Sequence, residues 1–148
     1  MRIIIQRVTN ASVSVESSCI GKISSGFLVL LGISIDDTKE DADYLVKKLV
    51  NLRVFTDEND KMNLSIKDIN GELLIISQFT LYANCRDGNR PSFINAAKPD
   101  VAIPLYEYFI SECRKHIPNV QTGKFGAHME VELVNNGPVT ITIDSKNR

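Results

Sequence analysis

At 148 residues the chain is long enough to bury one sizeable core and short for two ordinary domains, so residues 1–148 are read as a single domain. Hydrophobic residues make up 43% and charged residues 24%, which excludes disordered, collagen-like and membrane-type compositions. With 17 Lys and Arg against 18 Asp and Glu the formal charge is −1, so any nucleic-acid footprint has to be local.

The first 36 residues are β-rich: Ile3-Ile4-Ile5, the alternating Ala11 to Glu16, Ile20 to Ile23 and Gly26 to Ile33 read as successive antiparallel strands. Met1-Arg2-Ile3-Ile4-Ile5 has no signal-peptide pattern, and the chain is expected to stay in the cytosol. Thr38-Lys39-Glu40-Asp41 resembles a capping box, and Ala42, Leu45, Val46, Leu49 and Leu52 follow at helical spacing, which predicts a helix over 39–52. Arg53-Val54-Phe55 returns to strand, and Glu72 to Leu81 is the longest strand candidate. The segment from Ala83 to Ser92 is a loop carrying Arg86 and Arg90. A second helix starts at Pro99-Asp100 and ends before Pro118, with Ala102, Leu105, Tyr106, Phe109 and Cys113 on its buried stripe. Pro104 fits only if it lies in the first turn. Met129 to Val134 and Val139 to Ile143 alternate on either side of Asn135-Asn136-Gly137-Pro138. The fold class is therefore α+β: a β-rich antiparallel sheet or open barrel with two helices packed outside.

Phosphate-binding glycine loops, dinucleotide fingerprints and nucleophile elbows are absent. Three scattered cysteines, Cys19, Cys85 and Cys113, and two histidines, His116 and His128, predict free thiols and offer neither a metal site nor a cofactor site. A Cys85–His128 pair follows no spacing rule. Two features stand out. In Ser77-Gln78-Phe79-Thr80 an apolar strand acquires two hydroxyls and an amide, which either pair with local backbone or line a site. Gly137-Pro138 interrupts a strand pattern, as a turn, an edge bulge or a cis peptide bond.

Together Ser77-Gln78-Phe79-Thr80-Leu81 and Asn135-Asn136-Gly137-Pro138-Val139-Thr140 resemble the signature motifs of the D-aminoacyl-tRNA deacylase (D-tyrosyl-tRNA deacylase) family. The likeness runs essentially the whole chain, including Arg7, Gly88 to Phe93 and Thr122 to Met129. The resemblance implies a homodimeric hydrolase, without cofactor or metal, that cleaves the ester of D-aminoacyl-tRNA, or of glycine mischarged on tRNA-Ala. It implies that Ser77, Gln78, Phe79 and Thr80 hold the aminoacyl adenosine. It further implies that Gly137 and Pro138, across a cis bond, reach into the other subunit's site, that Phe125 and Met129 flank the pocket, and that Arg7 buttresses the Gly-Pro loop. It implies as well that the tRNA 2′-hydroxyl orients or activates the water, which would explain a site poor in titratable groups, while backbone N–H donors can stabilise the oxyanion. Phosphate contacts would fall to Arg86, Arg90 and Lys98. Two other readings stay open: a non-enzymatic nucleic-acid-binding β-domain stacking bases on Phe79, Tyr82 and Phe93, and an esterase with Thr80 as nucleophile.

Overall fold

The computed structural model describes every residue, Met1–Arg148. In chain order it contains β1 (Arg2–Val15), β2 (Ser18–Ile23), β3 (Gly26–Gly32), α1 (Lys39–Asn51), β4 (Phe55–Thr56), β5 (Met62–Leu64), β6 (Glu72–Ser77), a 3-10 turn (Phe79–Tyr82), α2 (Pro99–Arg114), β7 (Val120–Thr122) and β8 (Glu130–Asp144).

β1 is the spine. Glu16 and Ser17 both take positive φ, the conformation of a tight hairpin turn, and the returning chain pairs with β1 first as β2 and then as β3. β8 runs antiparallel along the other edge of β1. The expected α+β architecture, a β-rich sheet curled toward an open barrel with two helices outside, is what the chain forms. The strand directions are mixed rather than all antiparallel, because β3 pairs with β6, and β6 with β7, in parallel. Each parallel step needs a long crossover, and α1 and α2 lie in those two crossovers. The unbroken Leu73-Leu74-Ile75-Ile76 is the mark of a parallel strand buried on both faces. At the far end the sheet curls until an added Cβ on Gly21 of β2 would stand 3.0 Å from the Thr122 carbonyl oxygen of β7.

Alternation sorts the core into two layers. Ile3, Ile5, Phe27, Val29, Leu31, Leu73 and Ile75 face the helices, meeting Leu45 and Leu49 of α1 and Leu105, Phe109 and Cys113 of α2. Leu28, Leu74 and Ile76 face the inside of the curl with Val8, Ala11, Val13 and Ile23. A register shift near Val8–Asn10 changes parity along β1, so that Val8, Ala11 and Val13 share this inner face. Burial pushes the Cys113 thiol up to about 12, which leaves it an inert packing group.

Several boundaries differ from the expectations. The strand from Glu72 stops at Ser77 because Phe79–Tyr82 forms a 3-10 turn. The two tail segments are one strand, Glu130–Asp144, with the Gly-Pro dipeptide bulged from it. Pro104 is the sixth residue of α2, beyond the first turn; it is exposed, and the helix continues past it. No helix is long and apolar enough to cross a membrane.

α1 begins where the Asp41 carboxylate accepts the Thr38 main-chain N–H at 2.9 Å and Lys146 Nζ at 2.9 Å. Burial works against ionisation of Asp41, but hydrogen bonds from Lys146, Ser145 and the Thr38 main chain outweigh it and hold the carboxyl well below its ordinary 3.8. A depressed native value means that this stabilisation is complete above 3.8 and drains away as pH falls from there toward the native value. Thermal melts of wild type should therefore lose stability on acidification through that window. Asp41→Asn should start from a lower melting temperature and fall less steeply. An equal acid slope in both proteins would refute the assignment.

Candidate active site

The cavity is built at the carboxyl end of β6. Ser77 pairs with Leu31, and the Gln78 N–H donates to the Leu31 carbonyl at 2.8 Å, the last bond of the ladder. The chain then folds down as the 3-10 turn over Gly32. A Cβ there would stand 2.9 Å from Leu81 Cβ and 3.2 Å from the Gln78 carbonyl oxygen, so only glycine lets the turn lie on the sheet. Leu81 N–H closes the turn on Gln78 O at 3.2 Å. The first two donors of a 3-10 turn have no acceptor within it, and the N–H groups of Phe79 and Thr80 make no hydrogen bond elsewhere in the chain. Arg2 fixes the far end of the turn: Nη1 donates to Leu81 O at 2.8 Å, Nε to Asp144 at 2.9 Å, and the guanidinium lies 4.9 Å from the centre of the Tyr82 ring.

Ile76, Ser77, Gln78 and Phe79 form one wall of a cavity of about 280 Å³; Phe125, His128, Met129 and Val131 stand in the other. Phe125 is set by the core: its ring centre is 5.8 Å from that of Tyr106, whose hydroxyl donates to the Ile75 carbonyl of β6 at 3.0 Å. Burial raises the Tyr106 phenol to about 12, so it remains a donor at any working pH. Phe79 is 54% exposed and meets Phe93 edge-on at 5.0 Å. His128, set aside in the sequence reading, belongs to the wall; its place there depends on the short Thr122–Met129 segment, which has no periodicity to read.

Thr80 is exposed beside this cavity rather than in its wall, and its hydroxyl oxygen accepts Gln78 Nε2 at 2.5 Å. No base meets it. Cys85 lies in a separate groove with Arg2, Tyr82 and Arg86, so the structure does not bring it together with His128. Arg86, Arg90 and Lys98 are exposed on the loop and at the start of α2.

Gly137 and Pro138 lie elsewhere. On β1, Gln6 and Val8 are two residues apart, yet their partners on β8 are Thr140 and Asn135, so the extra residues of β8 loop outward. Asn135 closes the base of this loop: Oδ1 accepts the Val139 N–H at 3.0 Å and Nδ2 donates to Thr140 Oγ1 at 3.0 Å. Buried Arg7 spans loop and core, Nε donating to the Asn136 carbonyl at 2.9 Å and Nη1 to the Val54 carbonyl at 2.5 Å. The Gly137–Pro138 peptide is cis, and Gly137 has φ +134°. Both residues are exposed. Val131 of the cavity wall is separated from the base of this loop at Asn135 by four residues of strand, roughly 13 Å at strand rise.

A family model described as D-Tyr-tRNA(Tyr) deacylase matches residues 4–144. Proteins named D-aminoacyl-tRNA deacylase from Thermosipho africanus and Clostridium novyi are 60% and 62% identical to this chain over 146 residues, covering 99% of it and 98% of each of theirs. A solved structure described as the c-Myc DNA unwinding element binding protein is 42% identical with a TM-score of 0.92, covering 97% of this chain and 98% of that one. A second, described as a structural analysis of a probable eukaryotic D-amino acid tRNA deacylase, shares the fold with a TM-score of 0.81 at 18% identity and the same coverage. The family match leaves out only a few residues at each end and takes in both the cavity wall at Ser77–Phe79 and the Gly-Pro loop, so the chain belongs to the D-Tyr-tRNA(Tyr) deacylase family.

Proposed function

We propose that the protein is a cytoplasmic homodimer that hydrolyses the ester between a D-amino acid, or glycine, and the terminal adenosine of tRNA. The names of its relatives supply the substrate class. The observation that carries the chemistry is the pair of consecutive, unengaged N–H groups of Phe79 and Thr80 beside a cavity walled by Ser77, Gln78, Phe125 and Met129. Attack of water on the ester carbonyl produces an oxyanion, which two preorganised main-chain donors stabilise without a catalytic triad. Collapse of that intermediate expels the ribose oxygen. The neighbouring 2′-hydroxyl of the substrate orients and activates the water in a wall whose only titratable side chain is His128.

At about 280 Å³ the cavity sits at the small end of ligand sites, and the loop that would complete it stands far along β8. In a two-fold dimer each protomer lends Gly137 and Pro138 to its partner's cavity, an isologous exchange. Their carbonyl groups then stand around the amino group and α-carbon of the substrate. An L side chain collides with this backbone and a D side chain points outward. Protecting L-aminoacyl-tRNA about ten-thousandfold takes roughly 5.5 kcal/mol, several times what one hydrogen bond gives at about 0.5–1.5 kcal/mol. Collision with fixed backbone supplies it, so the site rejects L rather than gripping D.

Glycine has no β-carbon to reject. Assayed with purified protein, D-Tyr-, D-Asp- and Gly-charged tRNA should all be cleaved at comparable rates while the L-Tyr ester survives; strong preference for one D side chain would contradict an open pocket. Thr80→Ala should keep kcat/KM within about tenfold of wild type, since it removes one hydroxyl and no main-chain donor. A loss of several orders of magnitude would instead favour the threonine nucleophile.

A second reading, nucleic-acid binding without catalysis, draws on the description of the 42%-identical structure as a DNA unwinding element binding protein. The stacking surface it needs is thin: Arg2 covers the Tyr82 ring, and Phe79 and Phe93 pack on each other. Tight DNA binding with no hydrolysis of charged tRNA would establish that alternative.

A further inference from the structure

The C-terminal half of α1 carries a cluster of cations that the proposed active site does not use. Lys47, Lys48 and Arg53, with Tyr44, Asn51 and Leu52, line a concave surface of about 500 Å³ that contains no carboxylate. Both lysines are exposed. Lys48 lies 5.6 Å and Arg148 4.2 Å from the centre of the Tyr44 ring, while Lys67 Nζ donates to Asn51 Oδ1 at 2.7 Å on the neighbouring rim. None of these cations forms a salt bridge; the ion pairs of the molecule use the Met1 amino group, Arg2, Lys115 and Lys146. Of the carboxylates on the flanks, Asp43 accepts the Tyr108 hydroxyl, Glu112 pairs with Lys115, and Asp68 is taken up by Ser65. In a chain with a formal charge of −1, this is a local excess of positive charge, only partly offset by Asp68, whose carboxyl Ser65, with help from Lys67 and Arg53, holds below its ordinary value, and by Asp43 and Glu112 on the far side of Lys47.

Its place in the fold gives it meaning. Leu52 and Arg53 run directly into Val54, whose carbonyl is held by the same Arg7 that holds Asn136 beside Gly137 and Pro138. The basic surface and the Gly-Pro loop are therefore fixed to each other through one side chain. Resting on the reading that this loop enters the partner's cavity, we infer that Lys47, Lys48 and Arg53 of one protomer bind the phosphodiester backbone of the tRNA acceptor stem whose aminoacyl end occupies the partner's site. Lysines on flexible stems suit the irregular spacing of phosphates and carry no base readout.

The test compares two substrates: full-length D-aminoacyl-tRNA and a D-aminoacylated CCA trinucleotide, which ends before the stem. In Lys47→Glu/Lys48→Glu dimers the KM for the full tRNA should rise by about tenfold or more with kcat kept, and its salt dependence should become shallower by a slope of about 2, the loss of two phosphate contacts. Kinetics on the trinucleotide should match wild type. Lys47→Gln/Lys48→Gln, which removes charge without reversing it, should fall between. An unchanged KM and salt slope on tRNA, or an equal loss on both substrates, would overturn the inference. Wild-type protein that cleaves neither substrate would overturn the deacylase reading itself.

Discussion

Gly137→Ala should lower kcat/KM on D-aminoacyl-tRNA by about a hundredfold or more while the protein remains folded. Gly137 holds φ +134°, where a Cβ is strained, and the added carbon would stand 2.8 Å from Val139 Cγ2 and 2.9 Å from Arg7 Nη2. The backbone has to move, at a cost of about 1–3 kcal/mol. That is a fraction of an ordinary stability of about 5–15 kcal/mol, and the loop is exposed, so the melting temperature falls only by several degrees. Activity is less forgiving, since a displacement of about 1 Å at a reacting centre can cost a hundredfold. Steady-state rates on D- and L-charged tRNA, measured beside a thermal melt, separate the two effects. Wild-type rate and selectivity in this variant would remove the loop from the mechanism.

The second large effect falls on Arg7. Its guanidinium is buried, and its bonds go to two main-chain carbonyls, Val54 after α1 and Asn136 at the root of the loop. Arg7→Met keeps most of the stem's volume and strips both acceptors of their partner. The buried Val54 carbonyl left bare costs about 1–3 kcal/mol, while the exposed Asn136 can turn to water, so the melting temperature should drop at least as far as in Gly137→Ala, and deacylation should fall with it. Arg7→Lys is informative because a single ammonium does not reproduce the fork that spans both carbonyls. It should recover part of the stability and little of the activity. Full recovery of activity by lysine would mean that charge matters and the bridge does not.

What the sequence disclosed and what it withheld follow from distance along the chain. Leu73–Ile76 and the apolar stripe of α1 are local patterns, and both were readable; the parallel direction of β6 was missed in the expectation of an antiparallel sheet, although its unbroken apolar run is the mark of it. The 3-10 turn was not, because Phe79, Leu81 and Tyr82 are good strand formers and the cause of the turn is the bare surface of Gly32, which is remote from Leu81 in sequence and lies at the end of the neighbouring strand. β5 and β7, with three residues each, are too short to display a period. In the candidate site, the motifs around Ser77 and Gly137 drew notice as breaks in an otherwise regular pattern. Their placement on different strands, β6 and β8, and the inclusion of His128 in the wall are tertiary facts. The same holds for Arg7, Val54 and Asn136, three positions with no sequence relation until the register of β1 and β8 brings them together.

The exchange of loops between protomers is best tested by complementation. Gly137→Ala has a damaged loop and an intact cavity. Ala127→Trp, with an indole filling the cavity wall, has the reverse. Each should be nearly inactive as a homodimer. Unfolded and refolded together in equal amounts, half of the dimers are mixed and each contains one site with both parts intact, so about a quarter of wild-type activity should return, with D over L selectivity restored. If the mixture stays as inactive as its parents although mixed dimers form, each protomer works with its own loop, and the wall that excludes L-amino acids is not borrowed.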